Sequence, residues 1–164
     1  MYTARMRITR EGHIERTDIW REGKWVDLWS VVHFFSGVII GLLLYLLHFG
    51  PTASIALTLI SLIAYEMWEM LVQIEETPNN RFMDVVTGMA GYLPAFFLLA
   101  PQLSYTTLAT TLVLVLAGDS TLSFFGWRAS QKAAELEKKL RARYLLQRAW
   151  LARHKTQLRD KYWR

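Results

Sequence analysis

Carboxylates at both edges of long apolar runs are the residues in this chain most able to do chemistry. The stretch Tyr65 to Gly91 reads YEMWEMLVQIEETPNNRFMDVVTGMAG and carries Glu66, Glu69, Glu75, Glu76, Arg81 and Asp84 between one very apolar segment and the next. His33 and Asp119 lie in two further apolar segments. A carboxylate in hydrocarbon is costly even on the mildest scale, so such groups face a protein interior, a water-filled pocket or a partner charge. One histidine with several carboxylates suits Zn, Mn or Fe better than Cu, and Glu66 and Glu69 share a helix face at i, i+3. His33, Glu66, Glu69 and Asp84 are the ligand set this suggests, although the Glu-x-x-His pair of di-iron bundles is absent. A second chemistry uses a carboxylate as general base and Arg81 to hold an anionic headgroup. In the plainest alternative Arg81 pairs with one acid, His33 hydrogen-bonds another, and the rest are neutral or reach water. His33 beside Gly37 as an axial haem or chlorin ligand is the least supported use. No complete catalytic set is evident.

The elements that must position these residues follow from how charge is distributed. Of the 19 Lys and Arg in 164 residues, Arg81 is the only one between Val31 and Trp127, and hydrophobic residues make up 52% of the chain. Segregation of this kind marks a membrane protein. Cysteine is absent, which excludes disulfides, thiol catalysis and cysteine ligation of metal or haem. The first apolar run begins only at Val31, so no ordinary cleavable signal peptide is expected. The net charge of +5 sits in a tail flanking the apolar block, which favours anionic lipid headgroups or an acidic partner over nucleic acid.

Residues 1–29 form an N-terminal arm of mixed charge, with a weak hairpin pattern around Glu11-Gly12. Trp20, Trp25 and Trp29 close the arm as an interfacial anchor. Residues 30–127 read as four transmembrane helices at about 30–49, 52–74, 82–100 and 105–127, each long enough to cross a bilayer. Gly37 and Gly41 in the first, and Gly88 and Gly91 in the third, allow close helix contact. Pro78-Asn79-Asn80 reads as a turn, and Pro94 predicts a kink or break. Trp68, between the two acids, is expected to face lipid or a partner. From 128 to 164 twelve Lys and Arg meet only Glu135, Glu137 and Asp160, while Ala133, Leu136, Leu140, Tyr144, Leu151, Leu158 and Tyr162 recur at helical intervals. This predicts a basic amphipathic helix reaching roughly 50 Å at about 1.5 Å per residue.

The positive-inside rule keeps the basic tail in the cytoplasm, and four spans put the N-terminus there as well. Counting inward from those ends places His33, Glu66, Glu69, Asp84 and Asp119 in the cytoplasmic half of the membrane, within about three helical turns of its edge. Four separate spans thus supply one polar cluster, with Arg81 at its mouth.

The series His33-x-x-x-Gly37, Tyr65-Glu66-x-x-Glu69 and Asn80-Arg81-x-x-Asp84-x-x-x-Gly88-x-x-Gly91 resembles the VanZ-like and YjdF-like small integral membrane proteins over about residues 27–95. The resemblance carries the family's His and acid positions onto His33, Glu66, Glu69 and Asp84, with Gln73 and Arg81 matching the VanZ-like version. It implies a bacterial cytoplasmic membrane and supports architecture more than activity, one branch being linked to glycopeptide-antibiotic resistance. The chain departs from the family where Asp27 stands farther from His33 than usual and where Thr87-Gly88 replaces a common Asn.

The expected fold is all-α: a polytopic membrane protein with four transmembrane helices, an interfacial N-terminal segment and a long basic amphipathic C-terminal helix. The leading functional expectation is a structural or accessory subunit that packs against other membrane proteins through small-residue faces and its basic tail. The alternative is a membrane-embedded enzyme or binding protein whose His and carboxylate cluster, with or without a divalent metal, acts on a lipid-linked or anionic substrate.

Overall fold

A computed structural model of the chain describes residues 6–8, 14–21, 23–72, 74 and 76–162, apart from the side chains of residues 8 and 156–162. Its contacts divide the chain into two units, Ile19–Trp127 and Met1–Asp18 with Arg128–Arg164. Four helices are long and apolar enough to cross a membrane, as the charge segregation predicts.

The larger unit begins with α1 (Leu28–Leu46), whose start is set by Asp27. The Asp27 carboxylate accepts from the backbone N–H groups of Trp29 at 2.7 Å and Ser30 at 3.3 Å, while the Ser30 hydroxyl accepts from the Asp27 N–H at 3.3 Å. Such a capping box satisfies donors that the first helical turn leaves open. The helix stops at Leu46, short of the expected Phe49, because the next residues close its end. His48 adopts a left-handed φ of 60°, its N–H donates to Tyr45 O, and Phe49 N–H donates to Leu44 O, both at 3.0 Å. This is the Schellman closure, here with histidine in the position glycine usually takes.

Helix α2 (Pro51–Leu71) and helix α3 (Pro78–Pro94) both carry proline at their first position, where its missing N–H leaves nothing unsatisfied. The Thr77 hydroxyl caps α3 by accepting from Asn80 N–H at 3.2 Å, so α3 starts one turn earlier than the expected residue 82. Asn79 and Asn80 are therefore helical instead of forming a turn. At the far end Pro94 cannot donate into the helical ladder, and the chain continues as a π-helical turn (Ala95–Leu99) and a 3₁₀ turn (Ala100–Gln102). The expected kink is thus a widened turn.

Helix α4 (Tyr105–Tyr162) runs without a break through both the expected fourth span and the expected tail helix, since no Gly or Pro follows Gly126 before Tyr162. The boundary at 127 and 128 separates packing units within one helix.

Packing inside the larger unit centres on the close approach of α1 and α3. A Cβ on Gly37 would lie 1.9 Å from the Gly88 carbonyl oxygen, and one on Gly91 would lie 2.0 Å from that of Phe34. At Gly41 the gap to Tyr92 O is 3.0 Å, and Gly88 faces the Leu62 methyl groups of α2. Leu42, Ala95, Ala100 and Leu108 form one buried group; Leu44, Tyr92 and Phe96 form another, with the Tyr92 and Phe96 rings stacked at 5.6 Å. Trp20 is buried rather than interfacial: its ring meets Trp29 edge-on at 5.1 Å, and both rings rest on Gly126, where a Cβ would come within 2.6 Å of Trp20. Trp25 and Trp68 are exposed.

In the smaller unit β1 (Met6–Ile8) pairs antiparallel with β2 (Ile14–Arg16), Arg7 opposite Glu15. The anticipated turn at Glu11-Gly12 lies outside the described residues. Arg16 joins this hairpin to the unit's helical part by donating to Ser130 Oγ at 3.0 Å, and it also donates to the nearby Asp18 Oδ2 at 2.7 Å. Ala129 and Ala133 are buried, whereas Leu145, Leu146, Trp150 and Leu151 are exposed. Leu158, Tyr162 and Trp163 have no described side chains.

Candidate functional site

The polar cluster forms where the N-terminal ends of α1 and α3 meet the C-terminal end of α2, and each helix delivers one inward side chain. His33 lies one turn into α1, Glu66 about one turn before the end of α2, and Asp84 one turn beyond Asn80 on α3. All three are buried. His33 Nε2 is 3.8 Å from Glu66 Oε1 and 3.9 Å from Asp84 Oδ2, and the three ligand atoms lie within 4.8 Å of one another.

These separations distinguish between uses of the site. A direct N–H···O bond would draw donor and acceptor to about 2.7–3.2 Å. Ligands at about 2.0–2.2 Å from a shared cation stand roughly 3–3.6 Å apart, a few tenths of an ångström closer than His33 Nε2 stands to Glu66 Oε1 and to Asp84 Oδ2. His33 thus makes no hydrogen bond to either acid, and Glu66 Oε2 is buried without a hydrogen-bond partner among the described residues. The His33 ring meets Tyr65 edge-on at 5.5 Å.

A surrounding layer holds Asp84 in place. Ser30 Oγ donates to Asp84 Oδ1 at 2.6 Å, and Asn80 Nδ2 lies 3.2 Å from Asp84 Oδ2. The same Asn80 nitrogen reaches Asp27 Oδ2 at 3.1 Å and also bonds Glu76 Oε1. Asp27 accepts in addition from Gly23 N–H at 2.8 Å. The residue that caps α1 is therefore tied to α3 through one amide. Outer contacts of this kind fix the orientation of inner groups.

Glu69 does not join His33, Glu66 and Asp84; its carboxylate groups with those of Glu66 and Glu76 instead, again within 4.8 Å. Arg81 sits beside this second group, with Nε 3.4 Å from Glu76 Oε2 and Nη2 donating to Ile74 O at 2.9 Å. Asp119 is separate as well. It accepts from Ser36 Oγ at 3.3 Å and borders an open cavity of about 620 Å³ lined mainly by Phe35, Leu114, Gly118 and Leu122. No hydrogen bond or ion pair joins it to His33, Glu66 or Asp84 among the described residues, so the expected single cluster of five groups resolves into a core of three with neighbours. Gln73 and Glu75 lie outside the described residues.

Sequence reasoning missed Asp27, Ser30, Glu76 and Asn80 as parts of the site. Two spacings carried the signal: Asp27-x-x-Ser30, a capping pair opening the first apolar run, and Asn80-x-x-x-Asp84, one helical turn. No known protein family, curated protein or solved structure matches the chain.

Proposed function

We propose that this chain is a membrane-embedded protein that holds a divalent cation between α1, α2 and α3 and presents it to an anionic or lipid-linked group at the cytoplasmic membrane surface. The convergence of His33 Nε2, Glu66 Oε1 and Asp84 Oδ2 at distances too long for hydrogen bonds and near those of a coordination shell carries this reading. One imidazole with carboxylates suits Zn, Mn or Fe. Three protein ligands leave a coordination position for water or substrate, the arrangement of catalytic rather than structural sites. His33, Glu66 and Asp84 are, with Glu69, among the residues on which the resemblance to VanZ-like and YjdF-like proteins rests.

Elemental analysis of protein purified from native membranes tests the reading. The unaltered chain is expected to retain metal through gel filtration, and the double variant His33→Ala with Glu66→Ala to lose it. Equal, negligible metal in both preparations would refute the proposal.

The reading as an accessory subunit is favoured by α4. It buries only 6% of its most apolar stretch, against 22–33% for the other three candidate spans, and its basic part exposes Leu145, Leu146, Trp150 and Leu151. Deleting 130–164 should then release a stoichiometric partner captured with the full chain from mild detergent, with metal content unchanged. Retention of the same partner by the truncated chain would oppose it.

A further inference from the structure

The carboxylates around Glu66 outnumber what one cation can balance. Asp27, Glu66, Glu69, Glu76 and Asp84 converge through shared contacts, and Arg81 is the basic side chain beside them. With His33 neutral, as a metal ligand must be, the five carboxylates in their ionised form and one guanidinium would carry four negative charges among the described residues at the ends of helices apolar enough to cross a membrane. One divalent cation halves that charge and a second cancels it. Buried charge without a partner is expensive, so these carboxylates either take up protons or are matched by cations.

The geometry points to a second divalent cation held by Glu66, Glu69 and Glu76, with Glu66 bridging it to the cation at His33 and Asp84. This inference rests on the cation reading above and extends it to a two-cation centre. The ligand oxygens of Glu66, Glu69 and Glu76 lie within 4.8 Å of one another. Glu66 turns Oε1 toward His33 at 3.8 Å and leaves Oε2 buried with no hydrogen-bond partner among the described residues. Glu76 adds a second such oxygen: its side chain is only 4% exposed, and among the described residues Oε2 accepts no hydrogen bond, its charge facing Arg81 Nε at 3.4 Å. Arg81 offsets part of that charge through the 3.4 Å ion pair of its Nε, which is not a hydrogen bond, while Nη2 is engaged by Ile74 O. Glu66 Oε2 is thus a buried carboxylate oxygen with no hydrogen bond among the described residues, and Glu76 Oε2 has only the looser ion pair with Arg81. An all-carboxylate set suits a hard cation such as Mg²⁺ or Mn²⁺, whereas the His33 side accepts softer ones, and Mn²⁺ satisfies both.

The test uses the full chain in lipid nanodiscs, stripped with chelator and titrated with Mn²⁺, with bound metal counted by elemental analysis and followed by electron paramagnetic resonance. Two Mn²⁺ per chain with a spin-coupled spectrum are expected. Glu76→Gln and Glu69→Gln should each weaken one of the two at least tenfold and leave a single uncoupled Mn²⁺, and Glu66→Gln should weaken both. Glu69 is only half buried, so its variant keeps the test informative if the Glu76 variant fails to fold. One Mn²⁺ per chain, with affinity unchanged in Glu69→Gln and Glu76→Gln, would overturn the second site and leave the first standing. Two Mn²⁺ insensitive to those substitutions would also overturn it. No Mn²⁺ uptake by the unaltered chain would overturn both readings.

Discussion

Replacing Gly37 or Gly91 by alanine should destabilise the helical unit by about 3 kcal/mol or more, enough to empty the folded state of a marginal protein. The new methyl carbon would start 1.9 Å from the Gly88 carbonyl oxygen in the first case and 2.0 Å from the Phe34 carbonyl oxygen in the second. Both obstacles are helical backbone, which cannot rotate aside as a side chain can. Relief therefore requires α1 and α3 to separate, which loosens the contacts around Tyr92 and Phe96 and draws His33 away from Asp84. Alanine's better helix propensity returns only about 1 kcal/mol. Gly118 supplies the control, because a Cβ there meets nothing within 4 Å and Gly118→Ala should be neutral or slightly stabilising. Unfolding of the detergent-solubilised chain, followed by circular dichroism, decides the matter. If Gly37→Ala unfolds at the same point as Gly118→Ala, the close approach of α1 and α3 is not what holds the unit together.

The helices were readable because the constraint that makes them is strong. Twenty or so mostly apolar residues with at most two charges leave few alternatives to a span, and four such runs give four long helices. Their ends were less readable. Apolar character continues through Leu47 and Phe49, so hydropathy does not reveal that a left-handed His48 closes α1 at Leu46. The Pro78-Asn79-Asn80 series reads as a turn, whereas the Thr77 cap with Pro78 at the first position makes it the opening of α3. The core of the site was visible through the expense of burying His33, Glu66 and Asp84. Its supports were not, because Asp27, Ser30 and Asn80 are common capping residues at helix starts, where solvent usually serves them. Asp119 shows the converse limit. Equal depth along a span places a residue in a layer, while its angular position decided that it meets Ser36 instead of His33.

Asn80→Ala should cost roughly 3–4 kcal/mol in metal-free protein, and part of that loss should return when Mn²⁺ is added. Asn80 is fully buried, and its amide nitrogen faces carboxylate oxygens of Asp27, Glu76 and Asp84 at once. Two N–H groups serve three acceptors, so the amide is already the limiting donor. Removing it leaves those acids facing one another across a cavity, with Ser30 as the remaining side-chain donor to Asp84. Asn80→Asp should be at least as harmful, since it adds a carboxylate of nearly the same shape where a donor stood. Asn79 is exposed on the same turn, and Asn79→Ala should change stability by no more than about 0.5 kcal/mol. Recovery on adding Mn²⁺ separates electrostatic causes from steric ones. A cation among the carboxylates replaces attraction that the amide supplied, while Gly37→Ala, whose defect is a blocked helix contact, gains no comparable relief. Denaturant midpoints with chelator and with excess Mn²⁺ measure the difference. Equal metal-induced shifts in Asn80→Ala, Asn79→Ala and the unaltered chain would mean that Asn80 is a packing residue, and that the carboxylates it joins do not share one electrostatic site.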